Sequence, residues 1–230
     1  MNGQKNTDKE KYVSAATIKR LPRYYRYLRD LLDKGITKVS SATLATLMNV
    51  TASQIRQDLN CFGDFGQQGY GYNVEYLYNE ISDLLGVNES YNAVIIGAGN
   101  LGRALVRSPM FARRGVKPVA MFDVEWSIVG SNISGIPVLH TSSLAKFCNE
   151  RDVHIGVLTL PKQHAESAMK SLIDAGVKGI WNFTSCEPEE LKNQAIVENV
   201  HLGDSLMTLC FRMRDAANGT IESNEDESES

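Results

Sequence analysis

The sequence predicts an α/β protein in two parts, and three observations predict it. Residues 51–54 read Thr51-Ala52-Ser53-Gln54, a Thr followed three places later by Gln, which is the form of a helical capping box. Residues 62–72 hold four glycines among aromatic residues, the composition of a tight β-hairpin. Residues 91–99 (YNAVIIGAG) are an apolar run that opens into Gly97-Ala98-Gly99-Asn100-Leu101-Gly102, a GxGxxG pattern directly after a strand and before a helix. The first two describe an N-terminal winged helix-turn-helix. The third describes a Rossmann-like, doubly wound parallel sheet.

The first element is a helix from Ser14. Leu21, Tyr25, Leu28 and Leu32 recur at helical spacing, Arg20, Arg23, Arg26 and Arg29 supply basic faces, and Gly35 is its stop. A short helix begins near Ser40 and Ser41, turns Leu44 and Leu47 inward, and ends at Asn49. Thr51 then starts a third helix with Ile55 and Leu59 toward the core. Ser53, Gln54, Arg56, Gln57 and Asn60 are left on its outer face. Two short helices in this order place the second in a DNA major groove, where Gln and Arg each bond a base edge bidentately. Ser40 or Ser41 offers a hydroxyl and backbone N–H groups to a phosphate. The hairpin after it, with Gln67, Gln68 and Gly69 near its tip, is the wing. Such a helix pair also arises in modules that touch no DNA.

In the GxGxxG segment the first glycine permits the turn, the second lets the backbone approach a pyrophosphate, and the third packs helix on strand. The helix (LGRALVRSPMF) favours the phosphate charge at its start. A strand, KPVAMFDV, brings Asp123 to its end, 21 residues beyond Gly102. A carboxylate there accepts from a ribose diol and repels a 2′-phosphate, which favours NAD over NADP. The bland reading of Asp123 is a capping residue. The alternation continues with a helix over about 141–149, a strand over 153–161, a helix to about Ala175, a strand over 176–183, a short element at 200–204 and a last helix over 205–214. Ligands of such sheets lie beyond the carboxyl ends of the strands, which places Thr159, Pro161, Asn182, Phe183 and Thr184 at the crevice.

Composition narrows the function. The net charge of −3 singles out no anionic partner, but residues 1–70 hold 11 Lys and Arg against 6 acids. Residues 215–230 hold six acids and no base, a solvated acidic tail. Cys61, Cys148, Cys186 and Cys210 are scattered and read neither as a disulfide scaffold nor as a zinc site; Cys148 reads as a small core residue. No apolar run reaches the length of a membrane span and the first dozen residues lack a signal-peptide core, so the expected location is the cytoplasm. Of His140, His154, His164 and His201, only His164 follows a crevice strand as a general acid/base would, and none has a triad's partners. The expectation is a regulator with no catalytic residue and no metal.

The chain resembles the Rex family of bacterial redox-sensing transcriptional repressors over roughly residues 14–215. The resemblance is carried by Arg20-Leu21-Pro22 through Leu28, Val39-Ser40-Ser41, Gln54–Leu59, Phe62-Gly63, Gly69–Val74, Gly97–Gly102, Ala120–Asp123, Thr159-Leu160-Pro161 and Asn182-Phe183-Thr184. It implies a homodimer with a swapped C-terminal helix, bearing Leu206, Leu209, Cys210 and Met213 on one face. It implies a pseudo-palindromic double-stranded DNA operator, released by NADH and bound with NAD⁺. On this reading Gly97 to Gly102, Asp123, Thr159 to Pro161 and Asn182 to Thr184 hold NAD(H). The domains run 1–85 (winged helix), 86–204 (NAD(H)-binding), 205–217 (dimerisation helix) and 218–230 (disordered tail). The chain departs from the family at Ser108, where Tyr is usual, and at His201, where Asp is usual; both positions couple cofactor state to domain orientation. Gln57, Gln67 and Gln68 stand where Lys or Arg is usual. These departures predict a divergent paralogue with weaker salt-dependent DNA affinity and a weak, altered or absent response to NADH. The rival readings are an NAD-dependent dehydrogenase, a CoA-binding regulatory module, and an interaction protein that binds no DNA.

Overall fold

The computed structural model describes residues 14–60, 66–67, 71–191 and 193–218. It divides into two compact units, Met1–Glu89 and Ser90–Ser230. Most of the expected wing (residues 61–65 and 68–70, with Gln68 and Gly69) and the acidic tail beyond Asn218 lie outside the described residues.

The first unit holds helices α1 (Ala15–Asp33), α2 (Ser41–Met48), α3 (Ala52–Asn60) and α4 (Val74–Leu84), with strands β1 (Lys38–Val39), β2 (Gly66–Gln67) and β3 (Gly71–Asn73). The strands form an antiparallel sheet in the order β1-β3-β2. Ser14 caps α1, its Oγ accepting from Thr17 N–H at 3.1 Å. Gly35 at φ +70° closes the other end: its N–H reaches Leu32 O and Ile36 N–H reaches Leu31 O, a Schellman pair. The buried stripe of α1 is Leu21, Tyr24, Leu28 and Leu31. Tyr25 and Leu32, expected inward, are half-buried at the edge. Tyr25 stacks on Tyr78 of α4 with ring centroids 4.9 Å apart. In α2 the buried residues are Leu44, Ala45 and Met48, whereas Leu47 is 38% exposed. One step of four from Leu44 kept the Met48 side chain over the core where a step of three did not keep Leu47 there. Helix α4, which the sequence reading passed over, is capped by Asn73 and buries Val74, Leu77 and Ile81 at helical spacing.

The second unit is a seven-stranded sheet of β4 (Tyr91–Ile96), β5 (Val116–Asp123), β6 (Asn132–Ile133), β7 (Ile136–His140), β8 (Ile155–Leu158), β9 (Gly179–Asn182) and β10 (Ile196–Asn199). Its order is β10-β9-β8-β4-β5-β7-β6, and every neighbouring pair is parallel except the β6–β7 hairpin. The chain runs outward from β4 through β5 to β7, then returns to β8 on the other side. That reversal opens a crevice at the carboxyl ends of β4 and β8. Helices α5 (Asn100–Arg107), α6 (Leu144–Arg151) and α7 (Lys162–Asp174) join the strands, and two apolar clusters form, one centred on Val94, Phe122 and Leu158, the other on Ile95, Met121 and Val157. Alternate β4 residues feed opposite clusters, as the pleat requires.

Several boundaries differ from expectation. α5 stops at Arg107 because Ser108 turns extended ahead of Pro109. The β6–β7 hairpin was not anticipated. The last strand is 196–199, ahead of the short element expected at 200–204, and α8 (Leu202–Ala217) begins three residues before the expected 205. None of the residues of α8 is buried; Leu206, Met207, Leu209, Phe211 and Met213 are each more than half exposed. Among the described residues no helix is long and apolar enough to cross a membrane.

Candidate dinucleotide and nucleic-acid sites

The turn from β4 into α5 assigns its three glycines different tasks. Gly97 sits at φ +102°, and a Cβ there would stand 2.8 Å from Thr159 O. A Cβ on Gly102 would stand 2.2 Å from Gly97 O. Both glycines are therefore required by the packing of the turn on its own neighbours. Gly99 is different: a Cβ there meets nothing within 4 Å. It is exposed at the N-cap of α5, and the first bond closing the helix is Arg103 N–H to Gly99 O at 3.0 Å. The first-turn N–H groups of such a helix have no partner within it and carry the positive end of its dipole. The open space at Gly99 in front of them is a cradle for an anionic group, and a side chain would fill it. Asn100 is exposed and Leu101 half-buried beside it, while Ala98 is buried.

Asp123 ends β5 as expected. Its Oδ2 accepts from Ala98 N–H at 2.7 Å and its Oδ1 from Glu125 N–H at 3.0 Å. The carboxylate thus braces the glycine turn and the loop behind it, and it caps no helix. Each oxygen keeps a lone pair for a diol. Thr159 donates from Oγ1 to Gly97 O at 2.8 Å, tying β8 to the same turn. Leu160 is half-buried next to it and Pro161 stands exposed at the N-cap of α7. The geometry separates the third expected group. Asn182 is fully buried, donating to Cys186 O and Asn199 Oδ1, both at 2.8 Å. Its Oδ1 accepts from both Thr184 N–H and Thr184 Oγ1. Asn182 and Thr184 are turned to each other and buried. Phe183 is half-buried against Trp181, with centroids 4.5 Å apart.

In the first unit, α3 presents Ser53, Arg56, Gln57 and Asn60 to solvent, with Ile55, Asp58 and Leu59 buried. Thr51 Oγ1 accepts from Gln54 N–H at 3.1 Å, half of the expected capping box. The Gln54 amide does not return to Thr51. It donates to Asp58 Oδ1 at 3.0 Å, which makes Gln54 half-buried rather than fully outward. Ser40 caps α2, its Oγ accepting from Thr43 N–H at 3.0 Å, and Arg56 Nη1 comes to 3.4 Å from Ser41 Oγ. One exposed surface therefore joins the start of α2 to the cation of α3. Of the wing, Gly66–Gln67 pairs with Gly71–Asn73.

Sequence reasoning missed the group that fixes α3. Asp58, 1% exposed, accepts from Arg20 Nε at 2.7 Å, Arg20 Nη2 at 2.6 Å, Tyr24 OH at 3.0 Å and Thr17 Oγ1 at 3.3 Å. Burial pushes its carboxyl up, but the bonds from Arg20, Tyr24 and Gln54 outweigh burial and hold it below the ordinary value. Arg20, expected on a basic face, serves this carboxylate instead. An acid on the apolar side of a helix, between Ile55 and Leu59, was the available signal.

The catalytic alternative has little geometry. His164 is exposed on α7 and its ring meets the Gln163 amide at 3.4 Å, not a carboxylate. Burial pushes the Cys148 thiol up to about 11. Among the described residues no cluster of His, Cys, Asp and Glu is placed to hold a metal ion.

Comparison with known proteins adds the following. Residues 12–60 match a family described as "Putative DNA-binding protein N-terminus", and residues 88–186 match the CoA binding domain family. The chain is 46% identical over 207 residues to a redox-sensing transcriptional repressor Rex of Clostridium perfringens (strain SM101 / Type A), covering 89% of this chain and 96% of that one. It is 45% identical over 207 residues to the one of Caldicellulosiruptor saccharolyticus, covering 90% and 94%. A solved structure of RSP in complex with β-NAD⁺ and operator DNA superposes with a TM-score of 0.83 at 44% identity, over 90% of this chain and 95% of that one. RSP in complex with β-NADH gives 0.82 at 41%, over 90% and 96%.

Proposed function

The chain belongs to the Rex family of redox-sensing transcriptional repressors, and from that premise we propose that it is a DNA-binding repressor that reads the NADH/NAD⁺ balance. The observation that carries this is the pairing, in one chain, of an exposed helix-turn-helix surface with a glycine turn whose Gly99 leaves an open anion cradle. RSP, similar over 90% of this chain, has been solved with operator DNA, with β-NAD⁺ and with β-NADH.

The bound dinucleotide supplies a nicotinamide whose charge and planarity change with redox state. Gly99 and the first turn of α5 take its pyrophosphate, and Asp123 takes the adjoining ribose and disfavours a 2′-phosphate. Thr159, Leu160, Pro161 and Phe183 line the crevice, with Asn182 and Thr184 holding its rim. The DNA contacts are Ser53, Arg56, Gln57 and Asn60 on α3, Gln54 at its edge, Ser40 and Ser41 at the start of α2, and Gln67, Gln68 and Gly69 from the wing. The exposed face of α8, with Leu206, Leu209, Cys210 and Met213, docks on a second copy and makes the homodimer that a pseudo-palindromic operator needs.

The redox response is altered in this chain. A ligand shifts a two-state equilibrium only by its difference in affinity for the two states. Ser108 ends α5 with its Oγ accepting from Met110 N–H, and His201 pairs with Glu187 at 2.9 Å, in place of the family's usual Tyr and Asp. The test is a fluorescent pseudo-palindromic duplex titrated with the protein, then separately with NAD⁺, NADH and CoA, alongside sedimentation to read the dimer. Release by NADH weaker than is usual for the family is the expected result. Full release by NADH leaves the repressor reading intact and removes the altered response. Release by CoA alone favours a CoA-binding regulatory module, which the CoA binding domain match supports. Failure to bind any duplex at low salt overturns the DNA-binding reading.

A further inference from the structure

Trp126 is 70% exposed, yet its ring is held. It lies flat on His140, with centroids 4.1 Å apart and planes 11° apart. His140 ends β7, and the strand register pairs it with Asp123 at the end of β5. The imidazole is itself anchored: Nδ1 accepts from Ser142 N–H at 3.2 Å and lies 2.8 Å from Ser142 Oγ. The loop that carries Trp126 is tied back to Asp123 through Glu125 N–H, and Glu125 Oε1 accepts from Ser127 N–H at 3.1 Å. Val124, between them in sequence, is 69% exposed. A rigid aromatic plate therefore faces solvent three residues beyond the carboxylate assigned to a ribose.

The direction of a nucleotide across this edge is set by its two fixed points. On the dinucleotide reading the pyrophosphate would be held at Gly99, on the turn that follows β4, and the ribose at Asp123, one strand further out. The base on that ribose continues in the same sense, away from the crevice and toward β7. The surface waiting there is the Trp126–His140 pair. The outer face of a Trp ring pinned on its inner face is a stacking platform, and a purine has the π-face to cover it.

We propose that Trp126, held in place by His140, is the surface on which this chain stacks the purine base of its nucleotide. This rests on the dinucleotide reading above and adds to it the residues that recognise the base. Pinning the plate before binding lowers the ordering cost of the complex. Stacking tolerates any purine, so this surface contributes affinity while Asp123 sets the sugar chemistry.

The test is calorimetry on the full chain with ADP-ribose, which has the adenine, both riboses and the pyrophosphate but no nicotinamide. Trp126→Ala is expected to weaken ADP-ribose and NADH by the same factor, on the order of tenfold. Trp126→Phe restores most of that loss, and His140→Ala produces a smaller loss than Trp126→Ala. Trp126 and Trp181 are the only tryptophans, so in a Trp181→Phe background ADP-ribose should change the emission of Trp126 directly. Unchanged ADP-ribose affinity in Trp126→Ala, with binding lost in Gly99→Ala, overturns the stacking surface and leaves the dinucleotide site standing. Failure of the unmodified protein to bind either ADP-ribose or NADH overturns both.

Discussion

At the scale of single residues, Asp58 shows how one buried charge fixes a surface helix. Its carboxylate accepts from Arg20, Tyr24, Gln54 and Thr17, so α3 is tied to α1 along the side opposite its exposed face. Removing one partner of such a pair strands the other. Asp58→Ala is expected to cost about 3 kcal/mol, the lower end for a buried pair because the Arg20 side chain keeps 24% exposure. The check is a lower urea midpoint for loss of helix with an unchanged slope. The pH dependence follows from the sign of the shift. The folded carboxyl titrates below its ordinary 3.8, so its contribution is complete above that value and is lost as pH falls through the folded one. Asp58→Asn should flatten that part of the acid limb.

At the scale of elements, the turn into α5 separates glycines needed for folding from the one proposed to meet the ligand. Gly102→Ala sets a Cβ against the Gly97 carbonyl, which backbone cannot yield, and should lower the melting temperature. Gly99→Ala meets open space, so the melting temperature should hold while NADH affinity falls at least about tenfold, a loss of about 1.4 kcal/mol. Equal binding by Gly99→Ala and the unmodified chain would show that the anion lies elsewhere. Helix α8 makes the complementary point. Its pattern is apolar enough for a core, yet it buries nothing in its own chain, which is the observation behind the proposal that it packs against a second copy.

At the scale of the whole molecule, two units with different jobs share a chain of net charge −3, and the local excess of basic residues falls within residues 1–70. DNA affinity of such a protein falls with salt in proportion to the phosphates neutralised. Gln57 is exposed on α3 where the family usually has a cation. Gln57→Lys should raise affinity at low salt and steepen the dependence of log K on log salt by about 1.8 for a dimer, since each added contact contributes about 0.9. An unchanged slope would place Gln57 away from the phosphates.

The sequence by itself determined the two-part α/β architecture, the helix-turn-helix, the glycine turn and the place of Asp123. Each of these is written in local spacing: a cap three residues before its partner, a glycine where a strand becomes a helix, an acid at a strand end. That Gly99, the middle glycine, leaves open space at the turn was legible in the same way. Only the tertiary structure decided that Met48 and not Leu47 faces the core, that Gln54 turns to Asp58, and that Arg20 neutralises a buried acid. It alone decided that Asn182 and Thr184 bond each other and that Trp126 lies on His140. Those outcomes depend on which side chains from distant segments arrive at the same point, and a buried polar group takes whichever partner is there because leaving it unpaired is costly. Spacing along the chain records the helix and the strand; it does not record what they meet.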